Sequence, residues 1–477
     1  MADNCRMTAP WTCPFCPLLC DRFSVAVVPA DVPSLQSSPA PDPASSLTSS
    51  GASSGASPGA ARGALSNRRL VLQGSDCPRA HEALARFGLG VAGSPAPALP
   101  QIGARSVSLD DAIGTASEWL ARSRQPLFGG LGTDVAGARA LYRLACDIGA
   151  ITDAAHGRAL MHGLRSLQDR GAFATTLAEV RERADLIVCL TGSPSERLPE
   201  FHRRCGVGEA TDGGPRPRHL AMFGSTPAAA QAALPAALPG VTSEALAWHG
   251  DMFSTVSVLA ALVAGRTVRD APPALAALAA RLRAARYAVL VWEAAALPAH
   301  GALVVEAINT IVGTLNRSTR AASFPLGGGD GAATVNQVFT WLGGLPLRSR
   351  LGPAGLEHEP HRFDAARLLA DGAVDALLWV ASFGTEPSAP RAAAPCIVLG
   401  HPRFAPVQAD TDESTVFIPV STPGIGSAGH LFRADGVVLM PLAAVHGDGL
   451  PTVADVVARL VLAVRAVKAM GPPRAAA

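Results

Sequence analysis

From about residue 100 onward, short uninterrupted apolar runs alternate with longer stretches of helical period, and this alternation restricts the chain to few folds. The runs read as strands are Leu127–Gly130, Leu186–Leu190, His219–Phe223, Tyr287–Trp292, Ala376–Val380, Cys396–Gly400 and Val416–Val420. They are mostly continuous and rich in Val, Ile and Leu, as strands covered on both faces are. Helical stretches between them include Leu109–Arg122, Val135–Ile148, Pro273–Arg286, Leu303–Leu315 and Val453–Lys468. The order predicts an α/β fold of doubly wound parallel sheets with right-handed crossovers. No internal repeat of fixed period is present. The chain ends in a helix after the Val416–Pro441 region, so no C-terminal β-barrel is expected.

A length of 477 residues suits two or three packed α/β units. The expected units are a small N-terminal one over 1–100 and α/β units over 101–330 and 331–477. Within the first, 24 of the 30 residues from Pro33 to Arg62 are Ser, Ala, Pro or Gly. Such a stretch has too little apolar surface to offset the entropy of ordering, and it is expected to be a flexible surface insertion. Its flanks, Phe23–Val28 and Arg69–Leu72, are expected to be strands of one small unit.

Apolar residues make up 48% of the chain and charged ones 16%, enough for a large core and too apolar for disorder. The positive mean hydropathy comes largely from alanine. No stretch reaches 18 strongly apolar, uncharged residues, and Met1 to Trp11 lacks the apolar core of a leader peptide. A cytoplasmic protein without membrane contact is expected. The net charge is +2, and no basic run or stripe marks a nucleic-acid partner. The basic residues are almost all arginine, with Lys468 the one lysine, a bias that genomic base composition explains more simply than function.

Four of the nine cysteines crowd the N-terminus: Cys5, Cys13, Cys16 and Cys20, with Cys77 after a gap. The motif is Cys13-Pro-Phe-Cys16-Pro-Leu-Leu-Cys20-Asp21, then Asp76-Cys77-Pro78. Clustered cysteines in a cytosolic chain this long are more often metal ligands than disulfides. Three thiolates from one tight loop and a fourth from a neighbouring turn can surround a [4Fe–4S] cube or hold a tetrahedral zinc ion. Four buried thiols without metal are the third possibility.

Gly129-Gly130-Leu131-Gly132-Thr133 sits between an expected strand and helix. Glycines there let backbone N–H groups approach a phosphate at a helix N-terminus. A tight turn needs the same residues, and the full dinucleotide fingerprint is absent. Gly327-Gly328-Gly329-Asp330-Gly331 carries the same two readings. Glu357-His358-Glu359-Pro360-His361 lacks the spacing of a helical zinc site and is expected to be a solvated loop. There is no Gly-x-Ser-x-Gly elbow and no Walker loop.

The thiol motif followed by doubly wound units resembles the molybdopterin oxidoreductases. Further stretches resemble one branch, the B subunit of formylmethanofuran dehydrogenase. They are Cys16-Pro-Leu-Leu-Cys20-Asp21, Phe128–Thr133 with Gly149–Asp153, Ala184–Ser193, Asn336–Gly344, and Ile418–Gly424 with Arg433–Gly436. In that branch the barrel domain is a separate subunit. The resemblance implies that Gly129, Gly130, Gly132 and Thr133 descend from a loop that cradles a pterin cofactor. It also favours [4Fe–4S] over zinc at Cys13, Cys16, Cys20 and Cys77.

The redox members hold molybdenum or tungsten through a Cys or selenocysteine just before a His-Gly pair. Here that segment is Asp153-Ala-Ala-His156-Gly157-Arg-Ala-Leu-Met161-His162-Gly163, with no cysteine. Met161 and Ala155 supply no thiolate. His156 and His162 flank the position, and two histidines without a thiolate are weak evidence for a metal. The lysine usual after the fourth cysteine is also missing; Arg79 is the nearest basic residue. Molybdopterin or tungstopterin is therefore not expected.

The resemblance is closest to the B subunit of the formyltransferase/hydrolase complex of methylotrophic bacteria. It implies a non-catalytic, structural and non-redox subunit in one-carbon metabolism and formaldehyde oxidation. The complex would move a formyl group from tetrahydromethanopterin to a methanofuran-like carrier and release formate. The implied partners are the amidohydrolase-like A subunit, a barrel-like C subunit and the formyltransferase-like D subunit. Arg317, Arg320, Arg348 and Arg350 would line a route for an anionic carrier tail or stand as solvated charges. The alternatives are a molybdenum- or tungsten-dependent formylmethanofuran dehydrogenase subunit and an iron–sulfur electron-transfer module.

Overall fold

The computed structural model describes residues 10–29, 68–87, 99–208, 217–225, 240–405 and 413–470. The expected insertion 33–62 and Cys5 lie outside the described residues. The chain opens with a hairpin of β1 (Ser24–Pro29) and β2 (Arg68–Gln73), then α1 (Pro78–Leu84). Next come β3 (Gln101–Ile102), β4 (Arg105–Ser106), α2 (Leu109–Arg122), β5 (Pro126–Gly132), α3 (Val135–Ile148) and β6 (Ile151–Thr152). Helices α4 (Gly157–Arg170) and α5 (Leu177–Arg183) lead into β7 (Leu186–Cys189), α6 (Phe201–Arg204), β8 (Arg218–Phe223) and β9 (Val241–Leu246). Then follow α7 (Met252–Val263), α8 (Pro273–Ala284), β10 (Tyr287–Glu293), α9 (Gly301–Leu315), β11 (Arg320–Leu326) and α10 (Ala332–Gly343). The remainder is β12 (Ser349–Gly352), β13 (Gly355–His358), α11 (Ala365–Ala370), β14 (Ala376–Ala381), β15 (Cys396–Gly400), β16 (Thr415–Pro419), β17 (Gly429–Phe432), β18 (Leu439–Leu442) and α12 (Val453–Met470).

These strands form two large sheets. One has five strands in the order β11-β10-β7-β8-β9, all parallel. The other has nine, β13-β12-β6-β5-β14-β15-β16-β3-β4, with a parallel centre and antiparallel edges. The chain enters the nine-stranded sheet through β3–β6, builds the whole five-stranded sheet, and returns through β12–β16. The 101–330 segment thus supplies all of one sheet and part of the other, and 331–477 completes the second.

The central strands are buried along their length because helices cover both faces. Phe128, Leu378, Val380 and Ile418 face the cluster under α2, α3 and α12, while Leu127, Leu377 and Phe417 face the opposite layer. Helices start where short side chains can take the orphan N–H groups: Ser108 caps α2, Asp134 caps α3, Thr176 caps α5 and Asp251 caps α7. No helix among the described residues is long and apolar enough to cross a membrane.

The N-terminal unit is wedged against the carboxyl ends of both sheets. The Trp11 indole N–H donates to Gly424 O at 2.7 Å, and the Ala434 N–H donates to Pro17 O at 2.7 Å. Arg86 donates to Gly384 O at 2.9 Å.

Candidate functional site: the thiol loop and the carboxyl-edge seam

The thiol loop closes on itself through the Cys13 N–H donating to Cys20 O at 2.8 Å and the Leu19 N–H donating to Cys16 O at 3.2 Å. Leu19 takes a left-handed conformation (φ 44°) to make this turn, uncommon for a residue with a side chain. Cys77 stands at the N-cap of α1, with Pro78 in the first turn. Cys13, Cys16, Cys20 and Cys77 are all buried and share one core cluster. Three of the sulfurs receive backbone N–H groups: Cys13 from Phe15, Cys16 from Leu18 and Leu19, Cys77 from Arg79 and Ala80. Such donors favour a thiolate. Burial is the larger effect, and it pushes all four thiols up. Cys13 senses the charge of the other three, so the four sit within electrostatic range of one another.

As placed, no three His, Cys, Asp or Glu side chains among the described residues stand in a metal-holding arrangement. The donor chemistry of the loop nonetheless suits a thiolate-ligated group: four sulfurs, backbone N–H donors, and exclusion of water. Arg79 donates to Phe15 O at 2.7 Å and lowers the cost of charge at Cys16.

Gly129, Gly130 and Gly132 fall within β5, which runs two residues further than the sequence predicts. Their missing side chains accommodate neighbours from the same protein. A Cβ at Gly129 would lie 2.8 Å from the Trp379 ring, and one at Gly130 would lie 2.6 Å from Val380 O. At Gly132 the space belongs to the Glu386 carboxylate. Thr133 is buried and its hydroxyl has no hydrogen-bond partner. The next residue, Asp134, accepts the Gly137 N–H at 3.0 Å, so the N-terminus of α3 already faces a carboxylate of its own. These residues do not fit a pterin phosphate: the cradle is filled and its helix terminus carries a negative cap.

Glu386 carries no signal in the sequence, where it is one acid in a loop. It is buried, and its carboxylate accepts the Phe383 N–H at 2.7 Å and the Thr385 N–H at 3.0 Å. Burial, and then the charge of Asp330, push its carboxyl up to about 8. Thr385 donates to Asp330 at 2.6 Å, and Arg403 donates to Glu386 O at 2.9 Å. His401, edge-on to Phe87, is driven down to about 4 by burial and by Arg403 and Arg86.

The segment His156–Gly163 opens α4. Burial, Arg158, Arg348 and His300 lower the affinity of His162 for a proton. His162 packs where a Cβ at Gly301 would be 3.0 Å from its ring. Arg348 is not a solvated charge. It is buried between Asp153 (3.2 Å) and Asp364 (2.7 Å), and it holds a left-handed backbone (φ 64°). Arg350 pairs with Glu357 at 2.9 Å, which with His358 lies on β13 and not in the expected loop. Neither arginine is free for a carrier tail.

No family model matches the chain. The chain is similar to the B subunit of the formyltransferase/hydrolase complex Fhc of Methylorubrum extorquens. The two are 32% identical over 291 residues, 58% of this chain and 73% of that relative. It is also similar to a polypeptide in the crystal structure of the formyltransferase/hydrolase complex FhcABCD from Methylorubrum extorquens in complex with methylofuran. That match has a TM-score of 0.65 and 28% identity, and it covers 78% of this chain and 99% of the other.

Proposed function

The chain belongs to the B-subunit family of the formyltransferase/hydrolase complex, and we propose that it serves as the B subunit of such a complex in one-carbon metabolism. The complex transfers a formyl group from a tetrahydromethanopterin carrier to a methanofuran-like carrier and releases it as formate. The companions are the amidohydrolase-like A, barrel-like C and formyltransferase-like D subunits, assembled in the cytoplasm. The observation that carries this reading is the fold match along 99% of a polypeptide crystallised inside that complex with methylofuran.

In this reading the chain is structural and has no redox chemistry of its own. The absence of any thiol between Asp153 and Gly163 supports it, as does the filling of the glycine cradle by Trp379 and Glu386. The core is molybdopterin-oxidoreductase-like, with units over 1–100, 101–330 and 331–477 and the barrel supplied by another polypeptide. Cys13, Cys16, Cys20 and Cys77 hold a [4Fe–4S] cluster or zinc that braces the N-terminal wedge. The backbone N–H groups aimed at three of these sulfurs favour that assignment.

Reconstitution tests the function. The A, C and D subunits are combined with and without this chain, and formate release from formyl-tetrahydromethanopterin is measured. Release is expected only with the full set. Equal release without this chain would refute the proposal.

A further inference from the structure

The amino edge of the five-stranded sheet lies opposite the carboxyl-edge seam, and charged residues stand at the starts of four neighbouring strands. In the order β11-β10-β7-β8, Arg320 opens β11, Arg286 immediately precedes β10, Asp185 immediately precedes β7 and Arg218 opens β8. These residues line a cavity of about 1060 Å³ together with Arg183 at the end of α5 and Arg281 on α8. Five arginines thus line it, against the two acids Glu182 and Asp185.

Arginines at this edge have an ordinary use, because the helices that precede the strands end here and their last carbonyls need donors. Arg218 serves that use: it is buried and donates to Cys205 O at 2.5 Å and to Arg181 O in the last turn of α5. Arg183 pairs with Glu179 at 3.4 Å, and Arg281 pairs with Glu244, which His219 also approaches at 3.0 Å. Of the acids, Glu182 meets Arg181 at 3.6 Å, and the Asp185 carboxylate accepts the backbone N–H groups of Arg286 and Tyr287, each at 2.9 Å. Arg286 and Arg320 differ from the rest. Both are exposed, and neither guanidinium has a hydrogen bond, an ion pair or a ring contact among the described residues. They are neighbours, since Tyr287, next to Arg286, is the register partner of Arg320.

We propose that this cavity is a binding site for a small organic phosphate ester, with the phosphate held between Arg286 and Arg320. Two unpaired cations match one phosphomonoester, which carries about −1.5 to −2 charges at pH 7 and offers three acceptor oxygens. A guanidinium bonds such an oxyanion through two parallel N–H groups. Adjacent strands lie about 4.8 Å apart, so the two side chains can close on a single tetrahedral group. The volume is that of an ordinary small-molecule site, and Leu186, Ala285 and Tyr287 give the organic part an apolar wall. A lone carboxylate would leave one of the two cations unmatched. The proposal is independent of the complex reading, because it uses only the charges and the shape of this edge.

The test is isothermal titration calorimetry of the full chain with phenyl phosphate, beside inorganic phosphate and glutarate. Arg286→Gln and Arg320→Gln are compared with Arg317→Gln, which removes the same charge three residues before Arg320 and outside the cavity lining. All three arginines are exposed, and melting temperatures check that each variant folds. The expected result is one site per chain for phenyl phosphate with a Kd below about 1 mM. Its affinity should fall at least tenfold in Arg286→Gln and in Arg320→Gln and stay unchanged in Arg317→Gln. No saturable binding of phenyl phosphate would overturn the proposal. So would an equal loss in all three variants, because a diffuse positive field and not this pair would then attract the anion. Glutarate binding as tightly as phenyl phosphate would reassign the pair to dicarboxylates, and tighter binding of inorganic phosphate would leave the organic part without a role; either result refutes the ester.

Discussion

The Thr385 hydroxyl donates to the Asp330 carboxylate at 2.6 Å, tying the loop behind β14 of the nine-stranded sheet to the crossover that leaves β11 of the five-stranded one. Glu386, the next residue, is buried against Gly132 at the same seam, with Asp330, Arg403, Arg86 and His401 as its charged or titratable surroundings. A proton held on Glu386 keeps a buried negative charge from standing beside Asp330.

This fixes a pH dependence. The Glu386 carboxyl is raised from an ordinary 4.5 to about 8 in the folded chain. The folded state therefore binds the proton more tightly. Its contribution is fully present below about pH 4.5 and is lost as pH rises through about 8. Glu386→Gln should flatten the fall of melting temperature between pH 5 and 8.5. The wild type should lose at least about 1.4 kcal/mol over that range, the worth of one pKa unit. Parallel curves for the two proteins would count against a neutral Glu386.

Arg348 offers a contrast between buried and exposed ion pairs. Arg348→Ala leaves Asp153 and Asp364 buried without their cation, and should cost about 3–5 kcal/mol in urea unfolding. Arg350→Ala breaks the more exposed pair with Glu357 and should cost no more than about 1 kcal/mol. Equal losses would contradict the burial argument.

Much of this architecture is legible in the sequence, and the illegible parts have a physical reason. Strands such as β5, β10, β14 and β15 announce themselves because burial on both faces leaves an unbroken apolar run. Strand β9, Val-Thr-Ser-Glu-Ala-Leu, is a sheet edge and half polar, so no such run marks it. The insertion of one sheet into the other is invisible because the pairing of β5 with β14 joins residues some 250 positions apart. The thiol motif is legible because three of its four cysteines fall within eight residues. The glycines of β5 give a misleading signal: what they make room for, Trp379 and Glu386, lies far along the chain.

Gly129→Val should therefore act as an overpacking change and not as the loss of a ligand loop. A cost of about 1–3 kcal/mol is expected, and combining it with Trp379→Ala should recover part of that loss. Strict additivity of the two changes would argue against their contact.

The connection 30–67 joins two paired strand ends, Pro29 opposite Arg68. Deleting residues 33–62 shortens it more than fourfold. At about 0.6 kcal/mol per doubling, the deletion should stabilise the hairpin by about 1 kcal/mol. A large drop in melting temperature would show that the deleted residues make contacts of their own.

Metal analysis tests the thiol loop. The purified protein should contain iron or zinc in stoichiometric amount, and Cys16→Ser should remove it together with part of the thermal stability. Absence of both metals from the anaerobically purified wild type would leave four buried thiols as their own structural cluster.

In the proposed function this chain serves a formyl-transferring complex without carrying out redox chemistry. Its most direct test is to supply formyl-tetrahydromethanopterin to the complete complex under anaerobic conditions with a viologen dye, and to quantify formate and reduced dye together. Formate release with no dye reduction is expected, unaffected by omitting the dye. Dye reduction in proportion to turnover, with bound tungsten or molybdenum in the protein, would contradict it.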